Sequence, residues 1–473
     1  MTASRNKLKR FLRQYISDTF TDITTVTDFI NKSSQWIEER EEESKKMRRA
    51  EKDPESGYRD EADLKEGLEP TLRGLKEMQI FLEAVKKLAV TSDHVFDQNL
   101  VQLLSEDTDL ELVKKIISVC QLICPFLLSF KRDDAAFFSP KLENLEVMQV
   151  QLKQYITSIR HIYAFLRQES LTDLRLDMNS VDVDLSGVSE GDIEQMFLHL
   201  KLLQEIRDDK HFRMVFLFQN KHRTFTRAFR QKKKVMLQFL EDVEACAVKL
   251  DEMTKGTRIS NVVGSSVGLV GGILSIIGLT LISVTFGASM GLLGAGTALA
   301  VLSGLNAVTT LFAEKGVNHT QKKEAEKRFE NFMEDMKFLQ NCLDDVINQH
   351  IEHVPENPTQ NARMANDCAS VLKGGGNIIG KGAEVGMAIA KGARGGFIAL
   401  NALFIGVDVF VIVNNSIDLY KGAPNEDSKF LRARAALWKS EIDSMQQICD
   451  SLKEGQQQYE DKKQQLQRLF YEG

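Results

Sequence analysis

The chain has 473 residues, room for two or three domains, and its net charge of −6 says little about partners. Its 43% hydrophobic and 27% charged residues are ordinary for a soluble protein. The six cysteines, Cys120, Cys124, Cys246, Cys342, Cys368 and Cys449, form no CxxC and no disulfide framework, so reduced thiols in a cytosolic chain are expected.

Only seven prolines occur, none of them between Lys141 and Val354, and strand-like alternation is nowhere sustained. The expected fold is all-α. It is a multi-helix bundle with a long glycine-rich apolar hairpin, a second apolar helix and a C-terminal amphipathic or coiled-coil helix.

Taken in order, residues 1–179 read as a charged helical region. Met1–Phe20 is basic but has no continuous apolar core, so no secretory signal is expected, and Thr2 excludes myristoylation. Leu8, Phe11, Leu12, Tyr15 and Ile16 instead share one helical face. Glu38–Lys65, with Pro54 and Gly57, reads as a solvated helix end plus a loop. Leu72–Ala89, Leu110–Phe130 (interrupted at Pro125) and Leu142–Arg167 read as packing helices, and Asn179–Gly191 as an acidic linker.

Residues 192–256 read as a basic amphipathic helix or helical pair. Lys210–Leu240 carries nine Lys or Arg and no acid, with phenylalanines interleaved. Lys221, Arg223, Arg227, Arg230, Lys232, Lys233 and Lys234 are the candidate contacts for anionic phospholipid, with the aromatic face inserting shallowly. An ordinary bundle helix with a basic outer face is the alternative. No nucleic-acid-binding module accompanies this stretch.

Residues 257–354 hold the most unusual feature, 55 residues from Ile259 to Ala313 without one Asp, Glu, Lys, Arg or His. About 20 apolar residues cross a bilayer as a helix, so this run is long enough for two crossings, Val262–Ile282 and Phe286–Phe312. It contains ten glycines, each costing about 0.8–1 kcal/mol in a water-exposed helix. A membrane retains helix despite glycine, and Gly264, Gly268, Gly272, Gly287 and Gly291 have the spacing for close helix packing. The glycines also dilute the hydrophobicity, which suits conditional insertion; the alternative is a hairpin buried in a water-soluble bundle.

Residues 359–424 form a glycine-rich stretch and a second apolar segment, Gly395–Ile417, with Asp408 near its middle. A carboxylate at mid-bilayer costs about 2.5–3.5 kcal/mol, so Asp408 is a candidate pH- or ion-sensing acid. In residues 427–473, Leu431, Ala435, Trp438, Ile442, Met445, Cys449 and Leu452 alternate spacings of four and three. That is a heptad seam for a helix partner, in cis or in trans.

Chemistry-bearing motifs fail. Gly375–Lys381 (GGNIIGK) is followed by Gly382 where a phosphate loop needs Ser or Thr, and no strand precedes it, so no nucleotide is expected. Asp182, Asp184, Ser186 and Gly187 begin like a calcium loop, but Ile193 stands where the bidentate Glu belongs. His350 and His353 lack further ligands. No enzyme, cofactor or metal is expected.

The segments RISNVVGSSVGLVGGILSIIGLTL (Arg258–Leu281) and GASMGLLGAGTAL (Gly287–Leu299) resemble the apolipoprotein L family. So do ALNALFIGVDVFVIVNNSIDLYKGA (Ala399–Ala423) and LRARAALWKSEIDSMQQICDSL (Leu431–Leu452). The resemblance runs from about Leu240 to Gly455; the residues before it do not look like the family. It implies lipid binding and movement within cells and, for some members, ion channels or membrane-lysing agents of host defence. It also implies that Val262–Phe312 and Gly395–Ile417 are membrane segments. Without a signal peptide, the cytoplasm and intracellular membranes are the expected location, with secretion the alternative. The reading of a different class is a cytosolic helical scaffold with the hairpin permanently buried. A soluble lipid carrier is a third.

Overall fold

The computed structural model describes residues 2–52, 58–96, 101–103, 110–124, 145–168, 181–218, 222–254 and 426–466. Between the last two stretches it also describes positions 327–328, 331–332, 334–336, 338–339 and 342. The described part is all-α apart from one two-stranded ribbon. Its buried side chains, from Leu8 to Leu452, form one continuous core.

Helix α1 (Thr2–Lys52) is the long axis of the N-terminal layer. Leu8, Leu12, Tyr15, Ile16, Phe20, Ile23 and Ile30 recur at helical spacing and are buried. The helix runs to Lys52, well into the charged stretch that starts at Glu38. The buried face continues through Arg40, Ser44, Met47 and Ala50, so tertiary packing carries the helix through its charged stretch. Arg40 is held there by Glu43 at 2.8 Å.

Helix α2 (Glu61–Ala89) packs on α1. It begins eleven residues before the expected Leu72, because Asp60 caps it by accepting from the Asp63 amide at 2.8 Å. Pro70 lies inside it, at the loss of one helical hydrogen bond. A 3-10 turn (Asp93–Phe96) leads to β1 (Val101–Leu103). Helix α3 (Leu110–Ile123) packs on α2, and α4 (Leu145–Gln168) packs along α1.

The expected acidic linker contains β2 (Val181–Val183), antiparallel to β1 with Gln102 opposite Asp182. Three residues of Val-Asp-Val are too short for a periodicity signal. The segment is also clamped to α1: Arg5 donates to the carbonyls of Leu185 and Val188, and Lys9 and Arg13 pair with Asp182.

The expected helix or pair over residues 192–254 is three helices: α5 (Glu190–Asp208), α6 (Lys210–Phe218) and α7 (Arg223–Thr254). Ser189 caps α5. Asp209 makes the break between α5 and α6. Its backbone is extended, and its carboxylate accepts from the His211 and Phe212 amides at 2.7 and 2.9 Å. Burial works to raise that carboxyl, but the donors from Phe212, Gln458 and His211 outweigh it and hold its pKa below the ordinary value. Helix α8 (Glu426–Leu466) packs against α5, α6 and α7.

Candidate functional site

Helices α7 and α8 run antiparallel. Lys233 meets Gln446 (2.9 Å), Phe239 lies 6.0 Å from Trp438, and Arg432 reaches back to Glu244 (2.9 Å) and Asp251 (2.8 Å). The described helical positions between Lys327 and Cys342 also run antiparallel to α7. Arg328 pairs with Asp242 at 2.9 Å, Phe332 stacks on Phe239 at 4.6 Å, and Lys232 pairs with Asp335. Phe239, Phe332 and Trp438 thus form one aromatic cluster, with Met336, Leu339 and Cys342 buried beside the same helices.

The uncharged run, Ile259–Ala313, lies outside the described residues, between these two helical stretches. The chain leaves α7 at Thr254 and returns as helix by Lys327, antiparallel to the helix it left. Both attachment points lie toward the C-terminal end of α7. That end is tied by ion pairs and a hydrogen bond: Arg432 spans Glu244 and Asp251, Arg328 holds Asp242, and the Ser428 hydroxyl donates to Asp251. Asp251 and Ser428 are buried, so this is a built joint between α7 and the first turn of α8.

The heptad seam is covered within the chain. Leu431, Trp438, Ile442, Met445, Cys449 and Leu452 are buried, and Ala435 is half-buried against the same core. Gly455 lets α8 touch the backbone of α6, where an added Cβ would lie 2.1 Å from the His211 carbonyl oxygen. His211 Nδ1 lies 2.7 Å from Ser451 Oγ in the same contact.

The basic region divides into two sets. Phe212, Phe225, Phe229 and Phe239 are buried in the core, so the aromatic face expected to enter lipid is occupied by packing. Lys232 pairs with Asp335 and Lys233 donates to Gln446, so these two expected lipid contacts bind protein. Arg223, Arg227, Arg230 and Lys234 are exposed on the outer face of α7. Lys221 lies outside the described residues, as do Gly264, Gly268, Gly272, Gly287, Gly291 and Asp408. No helix among the described residues is long and apolar enough to cross a membrane.

A second feature was not legible in the sequence. Arg207 of α5 is 1% exposed and inserts into α1. It donates to the Tyr15 carbonyl (3.1 Å), Thr19 Oγ1 (2.9 Å) and Asp22 (2.7 Å), with its guanidinium 5.0 Å from the Tyr15 ring centre. Arg213 of α6 donates to the Arg207 carbonyl and to Glu83 of α2. Burial pushes Asp22 above the ordinary carboxylate range, with Arg207 pulling the other way. These arginines join the N-terminal layer to the helices that lead into α7.

Residues 183–377 match the family model for apolipoprotein L. Apolipoprotein L3 of Homo sapiens is 27% identical over 245 residues, 48% of this chain and 61% of that protein. The chain is thus similar to apolipoprotein L over these residues. It spans about three fifths of the length of that curated relative, and no solved structure matches it. The apolipoprotein L match begins in β2 and includes α5, α6, α7 and the uncharged run. It therefore reaches some 57 residues further toward the N-terminus than the expected start near Leu240. The missed part, α5 to α7, is amphipathic helix built from common residue types, without the glycine-rich pattern that identifies the uncharged run. Helix α8 and Gly395–Ile417 lie beyond the apolipoprotein L model.

Proposed function

We propose that this protein is a lipid-binding, conditionally membrane-inserting protein of apolipoprotein L type. Val262–Phe312 enters the bilayer as a hairpin and Gly395–Ile417 acts as a further membrane segment. The observation that carries this reading is the joint at the C-terminal end of α7. Two crossings return a chain to the side it left. The described chain stops at Thr254 and resumes at Lys327 beside the same helix, and the uncharged run falls between these two points. An ion-paired joint beside these two points suits a segment that leaves the bundle as a hairpin while the helices stay folded.

The finer reading is a protein of the cytoplasm and intracellular membranes, acting in lipid movement or as a permeabilising or channel-forming factor of host defence. Cys120 and Cys449 are buried free thiols, in keeping with a reducing compartment. Asp408 makes insertion of the second apolar segment favour acidic pH, because protonation removes the cost of a carboxylate in hydrocarbon.

The test is dye leakage and co-flotation with liposomes at neutral and acidic pH. Leakage with flotation is expected, and Ile276→Lys with Leu292→Lys is expected to abolish the leakage. Asp408→Asn is expected to flatten the pH dependence. Neither leakage nor flotation at any pH would replace this reading with the cytosolic scaffold. Co-purified lipid without leakage would favour a soluble carrier.

A further inference from the structure

We infer that Arg223, Arg227, Arg230 and Lys234 form a docking stripe that lays the outer face of α7 on the headgroups of an anionic bilayer. This rests on the proposed membrane reading and deepens it, naming the surface that is met before any insertion. The four residues are spaced by four, three and four, so they share one face along about 16 Å of helix. All four are exposed, and none makes an ion pair among the described residues. Elsewhere on this helix cations find partners: Lys232 has Asp335 and Lys233 has Gln446. The exposed positions between and beside the four, Thr224, Gln231 and Val235, add no acid, and Gln238 extends the face up to the exposed Glu241, seven residues after Lys234.

The occupant follows from what the stripe offers and lacks. It offers a straight row of delocalised charge suited to phosphate. It lacks aromatic rings, because Phe225, Phe229 and Phe239 point into the core, so no stacking platform for bases exists on this face. It lacks an apolar patch for a protein partner: Val235 is the lone large apolar side chain exposed on α7 among the described residues. The acids of α7 sit nearer its C-terminal end, where Asp242, Glu244 and Asp251 pair with Arg328 and Arg432. The helix is thus basic at the docking end, and its acids lie toward the end that carries the uncharged run. Lys234 and Thr254 are 20 residues apart, about 30 Å of helix. A flat docking of α7 therefore brings the stripe and the base of the hairpin to one surface together. Binding is by headgroup electrostatics alone, since the aromatic face is occupied.

Each cation near an anionic surface contributes about fivefold in partition at low salt. The full-length Arg223→Gln/Arg227→Gln/Arg230→Gln/Lys234→Gln variant is expected to lose at least about a hundredfold in binding to phosphatidylcholine vesicles containing phosphatidylserine. Wild-type binding is expected to weaken steeply between low and high salt, and to be absent on pure phosphatidylcholine. The charge-retaining Arg223→Lys/Arg227→Lys/Arg230→Lys variant is expected to bind as wild type. Thermal midpoints of both should match wild type, because no packed atom is changed. The Ile276→Lys/Leu292→Lys variant separates the two readings: it is expected to stop leakage yet keep salt-sensitive binding. If it leaks like wild type, the hairpin reading fails and the stripe stands. If the quadruple Gln variant binds vesicles like wild type, the stripe is overturned. Wild-type binding to single-stranded RNA but not to anionic vesicles, lost in the Gln variant, would overturn the bilayer in favour of nucleic acid.

Discussion

Replacing Arg207 with Met tests whether the N-terminal layer and the apolipoprotein L-matched helices are one folding unit. Arg207 is 1% exposed and makes three hydrogen bonds to α1, to the Tyr15 carbonyl, Thr19 and Asp22. Removing one member of a buried ion pair costs about 3–5 kcal/mol, because the other charge is left uncompensated. The lower end applies. The Asp22 side chain retains 14% exposure, and the Thr19 hydroxyl keeps its own bond to the Tyr15 carbonyl at 2.8 Å. About 3 kcal/mol corresponds to a urea midpoint lower by about 1 M, at an m-value of about 3 kcal/mol/M for a chain of this size. Tryptophan fluorescence reports on both ends of the bundle, because Trp36 lies on α1 and Trp438 on α8. The loss must also depend on pH. Burial raises Asp22 above its unfolded pKa, and a carboxyl raised in the fold contributes stability that is present below the unfolded value and fades as pH rises through the folded one. Without Arg207 the carboxyl rises further, so the variant's deficit should be largest at pH 7 and shrink toward pH 4. Adding Asp22→Asn should recover much of it at pH 7. A midpoint equal to wild type, a deficit independent of pH, or a double variant worse than Arg207→Met would each refute the reasoning.

Three further outcomes are expected. Gly455→Ala should destabilise by about 1–3 kcal/mol in thermal unfolding, although alanine is the better helix former, because its methyl would lie 2.1 Å from the His211 carbonyl oxygen and 2.6 Å from its carbon; stabilisation would show that α6 and α8 do not touch there. Asp182 is held at about 2, first by the Lys9 hydrogen bond and then by the Val183 amide and Arg13. Its contribution is present above the ordinary carboxylate range and lost as pH falls through about 2; Lys9→Met with Arg13→Met should return its titration, followed by carboxyl carbon NMR, toward 3.8. Burial pushes the Cys449 thiol up to about 12 and raises Cys120 as well, so both should resist iodoacetamide at pH 8 and label only in denaturant, read by peptide mass spectrometry.

The sequence by itself determined the helical class, because spacing of apolar residues is a local property that survives without knowledge of partners. It also marked the uncharged run, Gly395–Ile417, and the seam Leu431–Leu452, since absence of charge and heptad spacing are read one residue at a time. Helix boundaries were less legible: Asp60 caps α2 eleven residues before the expected Leu72, Ser189 caps α5 close to the expected Asp192, and Asp209 breaks a pattern that reads as unbroken. What the tertiary structure decided was which side of each amphipathic helix meets protein. Aromatic and basic residues interleave on α7 in a way that suits a membrane surface and a bundle equally. Only the arrival of α8 and the segment around Phe332 consigns Phe239 to the core and leaves Arg223, Arg227, Arg230 and Lys234 outside. The same holds for Arg207, an ordinary surface-type residue in sequence, buried because α1 brings a carbonyl, a hydroxyl and a carboxylate to it from some 185–192 positions away. Contacts between residues that distant are set by how helices pack, and no local pattern records them.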